Sequence, residues 1–547
     1  MTQRRLSSFV FAKALQKHHR HLPMTTPDLS HRLAAATRDP ALLRAAVALR
    51  QNRLDEAEPL LKNHLKTDPF DVAAIRMLAE LAARIGRPRD AETLLRRTLE
   101  LAPDFSAARV NLATMLYRGN RAGEALEQLD LLDVEREEGS GNLRAAVLNR
   151  LGEFESALAL YEDMLARFPG HARVWMSCGH VLKTVGRLDD AVAAYRRAVG
   201  IEPGFGEAWW SLANLKTVKL DEADRATMKQ ALEREDLAPE DRFHLEFATA
   251  RAWEDAGDTV KAFAAYSAAN AHRRALIHYD AAETTRRVSR MIGTFDAPFC
   301  ARVPQGCAAP DPIFILGLPR AGSTLVEQIL ASHSLVEATA ELPDIPELWG
   351  NLGEDPHAAL AGMTAEKAQA IGREYLRRAA HQRKTDRPFF IDKLPNNWLY
   401  TGFIKTVLPS AKIVDVRRHP LSAGVANFRQ HFARGQHFAY DLADLGHYYR
   451  DYVRLMAHMD ATLPGAVHRV GYEALVEDSE GQIRALLAAL DLPFEEACLA
   501  FHQTKRAVRT PSSEQVRSPI FRQGMENWQA WDPWLGPLRD ALGDLAD

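Results

Sequence analysis

The sequence predicts an α-helical repeat solenoid followed by an α/β domain with a mostly parallel sheet. Three observations carry that expectation. A small residue returns with a 34-residue step through the first half, short β-rich runs alternate with helical patterns through the second, and a glycine-rich loop of phosphate-binding spacing follows the first of those runs. Repeats of this length cannot bury an apolar face alone and stack to share one core. Alternating strands and helices imply a parallel sheet covered by helices.

A chain of 547 residues exceeds one ordinary core, and 46% apolar with 26% charged residues is a globular composition. The formal charge of -3 gives no global field for nucleic acid, which is not expected as a partner. Local basic clusters remain able to hold a small polyanion. Cys178, Cys300, Cys307 and Cys498 show neither paired spacing nor the density of a disulfide scaffold, so ordinary thiols and a cytoplasmic location are expected. No run approaches the ~20 apolar residues of a membrane span. The apolar stretch near the start is broken by Lys13 and followed by Lys17, His18, His19 and Arg20, a poor signal peptide. Residues 1–36 read as a poorly ordered leader, with Met24 as an alternative start.

The repeats come next, over 37–295. Ala57, Ala91 and Ala125 stand 34 positions apart inside a Gly/Asn-x-x-x-x-Ala pattern; Ala157 follows after 32 and Ala191 after 34. Pro69, Pro103, Pro169 and Pro203 keep the same beat and end helices. Gly257, Ala262 and Tyr266 form a later match, with room for a degenerate copy around Leu220 to Ala223. The segment GRLDDAVAAYRRAVGIEPG resembles the tetratricopeptide repeat (TPR) family, and the resemblance covers roughly residues 40 to 290. It implies a concave groove, used either to dock a partner or extended substrate or simply to space the second domain. The first use would make the repeats serve acceptor recognition more than cofactor binding.

Pro298, Pro304, Gly306, Pro310 and Pro312 then mark a linker, 296–311, before the α/β domain, 312–547. PIFILG, PFFIDK, AKIVDVR and AVHRVG read as strands. After the first comes Gly317-Leu-Pro-Arg-Ala-Gly-Ser-Thr324 and the helical pattern LVEQIL. This is a Walker-type loop in every fixed position except one, because Ser323 replaces the lysine that would reach the β- and γ-phosphates of ATP. Backbone amides at a helix start still cradle an anion, hydroxyls of Ser323 and Thr324 add donors, and Arg320 offers a planar cation for bidentate contact. No Cys/His cluster or HExxH spacing occurs, so no metal is expected.

ILGLPRAGSTLVEQIL resembles the 5′-phosphosulfate loop of sulfotransferases, particularly protein-tyrosine sulfotransferases, and the likeness spans about 310 to 535. It implies an enzyme that moves the sulfuryl group of 3′-phosphoadenosine-5′-phosphosulfate (PAPS) to a hydroxyl-bearing acceptor, protein tyrosine among the candidates. By that resemblance Arg320, Ala321, Gly322, Ser323 and Thr324 bind the cofactor's 5′ end. Arg418, in KIVDVRRHPLSAGVANF, grips its 3′-phosphate. Ala426 stands where the family usually has a serine. Tyr472, in RVGYEALVED, and Ser512, in VRTPSSEQVRSPIF, complete the set, while Ser518 replaces a common lysine. Lys393 matches the catalytic lysine and Glu341 the base, with Pro343 where an arginine is common. Glu337, Asp344 and Glu347 are rival carboxylates, and His333, His419 and His431 are held in reserve because histidine is the base among small-molecule sulfotransferases. Two other readings stay open: a P-loop kinase, and a non-catalytic TPR scaffold with a vestigial nucleotide domain.

Overall fold

The structure is a computed structural model that describes residues 25–132, 140–215, 218–302, 306–432, 435–504, 506, 508, 510, 515–520 and 528–546. The chain divides at Gly170 into two compact units. The first unit is built of helices. Of the expected leader, residues 1–24 lie outside the described residues, whereas Thr26–Ala36 is a helix, with Pro27 in its first turn and the Thr25 hydroxyl accepting from the Asp28 amide.

Antiparallel pairs follow, beginning with Pro40–Arg50 and Leu54–Thr67, then Val72–Arg84 and Pro88–Leu101. The recurring alanines explain the step. Ala57, Ala91, Ala125 and Ala157 are each 0% exposed, so two helices touch where any larger side chain would overpack, typically by about 1–3 kcal/mol. Five residues ahead of each sits the turn: Asn52, Gly86, Asn120 and Gly152 all have φ between 57° and 87°. Glycine adopts this left-handed conformation freely and asparagine tolerates it, which is why the pattern reads Gly or Asn.

The second unit opens with the same device, Ala172–Val185 and Leu188–Ile201 around Gly186 at φ 88°. Gly206–Ala213, Glu222–Leu232, Pro239–Asp255, Thr259–Leu276 and Ala281–Thr294 continue it. Of the expected linker, residues 303–305 lie outside the described residues, and contacts to the rest of this unit are seen at its border and beyond that gap. His458 Nε2 lies 2.8 Å from the Phe295 carbonyl, and the Cys307 amide donates to Val407 O at 2.9 Å.

A five-stranded, all-parallel sheet follows, in the order β2-β3-β1-β4-β5. The strands are β1 Pro312–Gly317, β2 Val336–Ala338, β3 Phe389–Lys393, β4 Lys412–Arg417 and β5 His468–Gly471. β2 has no counterpart among the four runs legible in the sequence. β1 is central and buried at all six residues, so it reads as an unbroken apolar run rather than an alternating one. Ile313, Ile315, Ile391, Val414 and Val416 pack one face against Val326, Ile329 and Leu330 of the helix Ser323–Ala331. Strands added on both sides of β1 leave a crevice beyond their carboxyl ends, where ligands of open parallel sheets bind.

Candidate functional site

Every strand carries a candidate residue out at that edge. β1 runs into the phosphate loop, whose backbone is unusual twice: Arg320 has φ 65° and Gly322 has φ 105°. A left-handed arginine costs on the order of 1–3 kcal/mol and marks a position held by its surroundings. Gly322 is the N-cap of helix Ser323–Ala331, and a Cβ on it would sit 2.6 Å from Tyr472 Cδ2. Tyr472 begins the helix that follows β5, so glycine is what lets the loop lie against its ring. Arg418, just past β4, places its guanidinium 4.8 Å over the same ring, and its Nη1 lies 3.4 Å from Arg320 O. Its neighbour Arg417 donates to Asp415 at 2.9 Å.

A cavity of about 350 Å³ collects these groups. Arg320, Gly322, Ser323, Thr324, Arg418 and Tyr472 line it. Ala321 is 1% exposed and is not among the lining residues, and Ser512 lies outside the described residues. Ala426 lines the wall, and so does Ser422 one turn earlier on the helix Pro420–Phe428. The C-terminal stretch adds Gln515, Val516 and Ser518, and Thr510 Oγ1 stands 3.2 Å from Thr324 Oγ1.

Helices of the repeat region supply the remaining wall, through Trp210, Asn214, Arg251, Glu254 and Tyr266. The repeat helices thus share one cavity with the glycine-rich loop. No pattern in the sequence marks this wall, because Glu254 meets Arg429 across 175 positions.

Lys393 and Glu341 do not line the cavity; they form an ion pair with each other. Lys393 ends β3, opposite Ile315 of β1, and is 2% exposed, whereas the Glu341 side chain is 47% exposed. The preceding Asp392 is fully buried and accepts from the Tyr375 hydroxyl at 2.9 Å and the Leu342 amide at 3.3 Å. Burial pushes its carboxyl well above the usual range.

The rivals are engaged elsewhere. Glu337 accepts from the Lys384 and Thr385 amides, and Asp344 and Glu347 both pair with Arg378. His333 is buried, with Nε2 2.8 Å from Pro493 O and Nδ1 accepting from the Leu335 amide. His431 packs among Phe243, Phe247 and Tyr440, where burial pushes its pKa down to about 2. His419 stacks on Trp528.

Among the described residues, no group of acidic, His or Cys side chains could hold a metal, and no helix is long and apolar enough to cross a membrane. Cys178, Cys300, Cys307 and Cys498 form no disulfide.

A glycine-rich loop and the Arg320 and Arg418 guanidinium groups thus gather at the carboxyl edge of the parallel sheet. Residues 312–496 match the family model "Sulfotransferase family", and 48–105 and 148–215 match "Tetratricopeptide repeat". The chain is thus a tetratricopeptide-repeat protein with a sulfotransferase-family domain. An uncharacterized protein of Aquifex aeolicus is 29% identical over 518 residues, 90% of this chain and 67% of its own length. Protein-tyrosine sulfotransferase 1 of Danio rerio is 25% identical over 262 residues, covering 43% of this chain and 68% of its own. The sulfotransferase domain of the Synechococcus PCC 7002 olefin synthase is 23% identical at a TM-score of 0.32, over 42% of this chain and 90% of that one.

Proposed function

We propose that the protein transfers the sulfuryl group of PAPS to a hydroxyl acceptor, protein tyrosine being the class suggested by the relatives. The observation that carries this reading is the shared cavity of the phosphate loop, Arg418 and Tyr472. Its residues fit the group: Arg251, Arg320, Arg418 and Arg429 against one carboxylate, Glu254, leave a cationic lining for an anion-rich nucleotide. The loop's Ser323 favours this reading over a triphosphate kinase.

When bound, PAPS supplies a sulfuryl group whose bond to the 5′-phosphate oxygen breaks as the bond to the acceptor oxygen forms. The loop amides, Ser323, Thr324 and Arg320 hold the 5′ end. Arg418 holds the 3′-phosphate. By the family resemblance, the Lys393 ammonium would steady charge growing on the leaving oxygen and Glu341 would take the acceptor's proton, although neither lines the cavity itself. Their ion pair keeps the two functions side by side, and the exposure of Glu341 leaves it open to an acceptor. A peptide acceptor docked on the repeats belongs to the same proposal.

Calorimetric titration of the full chain with PAPS and with ATP tests the reading, together with mass spectrometry for sulfate gain on candidate peptides and phenols. Binding of PAPS with sulfate transfer is expected. Binding of ATP in preference to PAPS refutes it, and tight PAPS binding without transfer to any acceptor favours the scaffold reading.

A further inference from the structure

The cavity's repeat-derived wall has an organisation of its own. Glu254, on the helix Pro239–Asp255, is its centre. It accepts from Arg429 Nε at 3.1 Å and from Arg429 Nη2, and from the Tyr266 hydroxyl at 3.1 Å. Arg251 Nη1 stands 3.6 Å away, and Arg251 Nη2 is tied to Asp255 at 2.9 Å. Arg429 follows the helix Pro420–Phe428, one turn after Val425 and Ala426, on the stretch that also gives the cavity Ser422 and begins at Arg418. The Trp531 ring lies 5.2 Å from the Arg429 guanidinium. A long side chain held by a carboxylate and a ring has already given up the rotamer freedom that an anion would otherwise have to freeze out.

A second link ties the same cavity to the repeats. Arg517 Nη2 donates to Thr184 O at 3.2 Å and the Val508 amide to the same carbonyl at 3.3 Å, so the segment carrying Gln515 and Val516 rests on the helix Ala172–Val185.

We infer that Glu254 is a positioning residue for Arg429, so that the subsite for a nucleoside 3′-phosphate is assembled jointly by the repeat helices and the sulfotransferase fold. The inference rests on the nucleotide reading above. Glu254 acts through Arg429, which meets the ligand together with Arg418. The helices around Glu254 are part of the binding site.

Titration of the full chain with 3′-phosphoadenosine-5′-phosphate (PAP) and with AMP, which lacks the 3′-phosphate, tests this without reference to turnover. Glu254→Gln should weaken PAP about tenfold or more while changing AMP by less than about twofold, the scale of one charge-assisted contact. Arg429→Gln should do the same, and the double variant should match Arg429→Gln within about twofold, because a residue acting through another has nothing left to lose. Additive losses in the double variant, unchanged PAP affinity in Glu254→Gln, or equal weakening of both ligands would each overturn the proposal. Should Glu254→Gln fail to fold, Tyr266→Phe removes one of the bonds to Glu254; a smaller, PAP-selective loss supports the proposal and an unchanged ratio overturns it. A wild-type chain that binds no PAP removes the nucleotide reading itself, an outcome distinct from a wild type that binds and variants that are silent.

Discussion

Gly322→Ala tests whether the loop, the Tyr472 ring and Arg418 behave as one stack. The new methyl would lie 2.6 Å from Tyr472 Cδ2, 3.3 Å from Cε2 and 3.5 Å from Cγ. Ordinary carbon contact begins near ~3.5 Å, so the ring must retreat by about 1 Å. The backbone at φ 105° adds strain on the order of 1–3 kcal/mol for any residue with a Cβ. The ring carries the Arg418 guanidinium at 4.8 Å, a contact worth roughly 0.5–2 kcal/mol. Displacing it should weaken PAP by about 1–2 kcal/mol, or roughly 5- to 30-fold, while the strain lowers the unfolding temperature by a few degrees. Gly350→Ala is the control, since its Cβ would meet nothing within 4 Å. Calorimetry with PAP and thermal unfolding of wild type and both variants read the two effects separately. A Gly322→Ala chain with wild-type affinity and unfolding temperature would refute the coupled stack.

Other expectations concern the reacting centre and its support. Arg418→Gln should cost about 10- to 100-fold in PAP affinity and much less for AMP, read by titration. Lys393→Ala should slow single-turnover transfer by ~100- to 1000-fold with PAP affinity nearly kept, because its contact matters as charge develops. Glu341→Gln should show a rate defect that shrinks as the pKa of a phenol acceptor falls; a flat defect would move the base elsewhere. Asp392, with its folded pKa raised by burial, favours the fold below its ordinary carboxyl pKa and loses that support as pH rises through the folded value. Asp392→Asn should therefore raise the unfolding temperature most at neutral pH, with the gain shrinking towards pH ~4, near the ordinary carboxyl value.

The legible parts of the fold are those with a period. The alanine step marked the repeats because helix contact and a left-handed turn both constrain residue type, at Ala91 and Gly86 for example. β1, β3, β4 and β5 were visible as apolar runs. β2 was not, since three residues, Val336–Ala338, hold no pattern and owe their conformation to pairing with β3. Within the candidate site, the loop was visible from spacing, whereas Lys393 and Glu341 were singled out by resemblance alone. Periodicity cannot bring residues 341 and 393 together. Nor could it show that Ser422 faces the cavity, or that Arg417 is bonded to Asp415 while Arg418 lines the cavity. The repeat wall was hidden for the same reason: Glu254 and Arg429 lie on separate elements and meet only through packing.

The borders of the sheet bear on how an acceptor can approach. One is β2, three residues long, with Glu337 turned inward onto the Lys384 and Thr385 amides; the other is β5, four residues, with exposed Arg469 tied to Asp415 and Asp460. Short, charge-bearing borders give an incoming strand little ladder to extend and guard against edge-to-edge aggregation. A peptide acceptor gains no main-chain pairing there of the kind β-augmenting domains offer. On the proposed reading, a peptide acceptor would then be held by its side chains or by helices, and sequence preference would fall on the few residues flanking the modified hydroxyl.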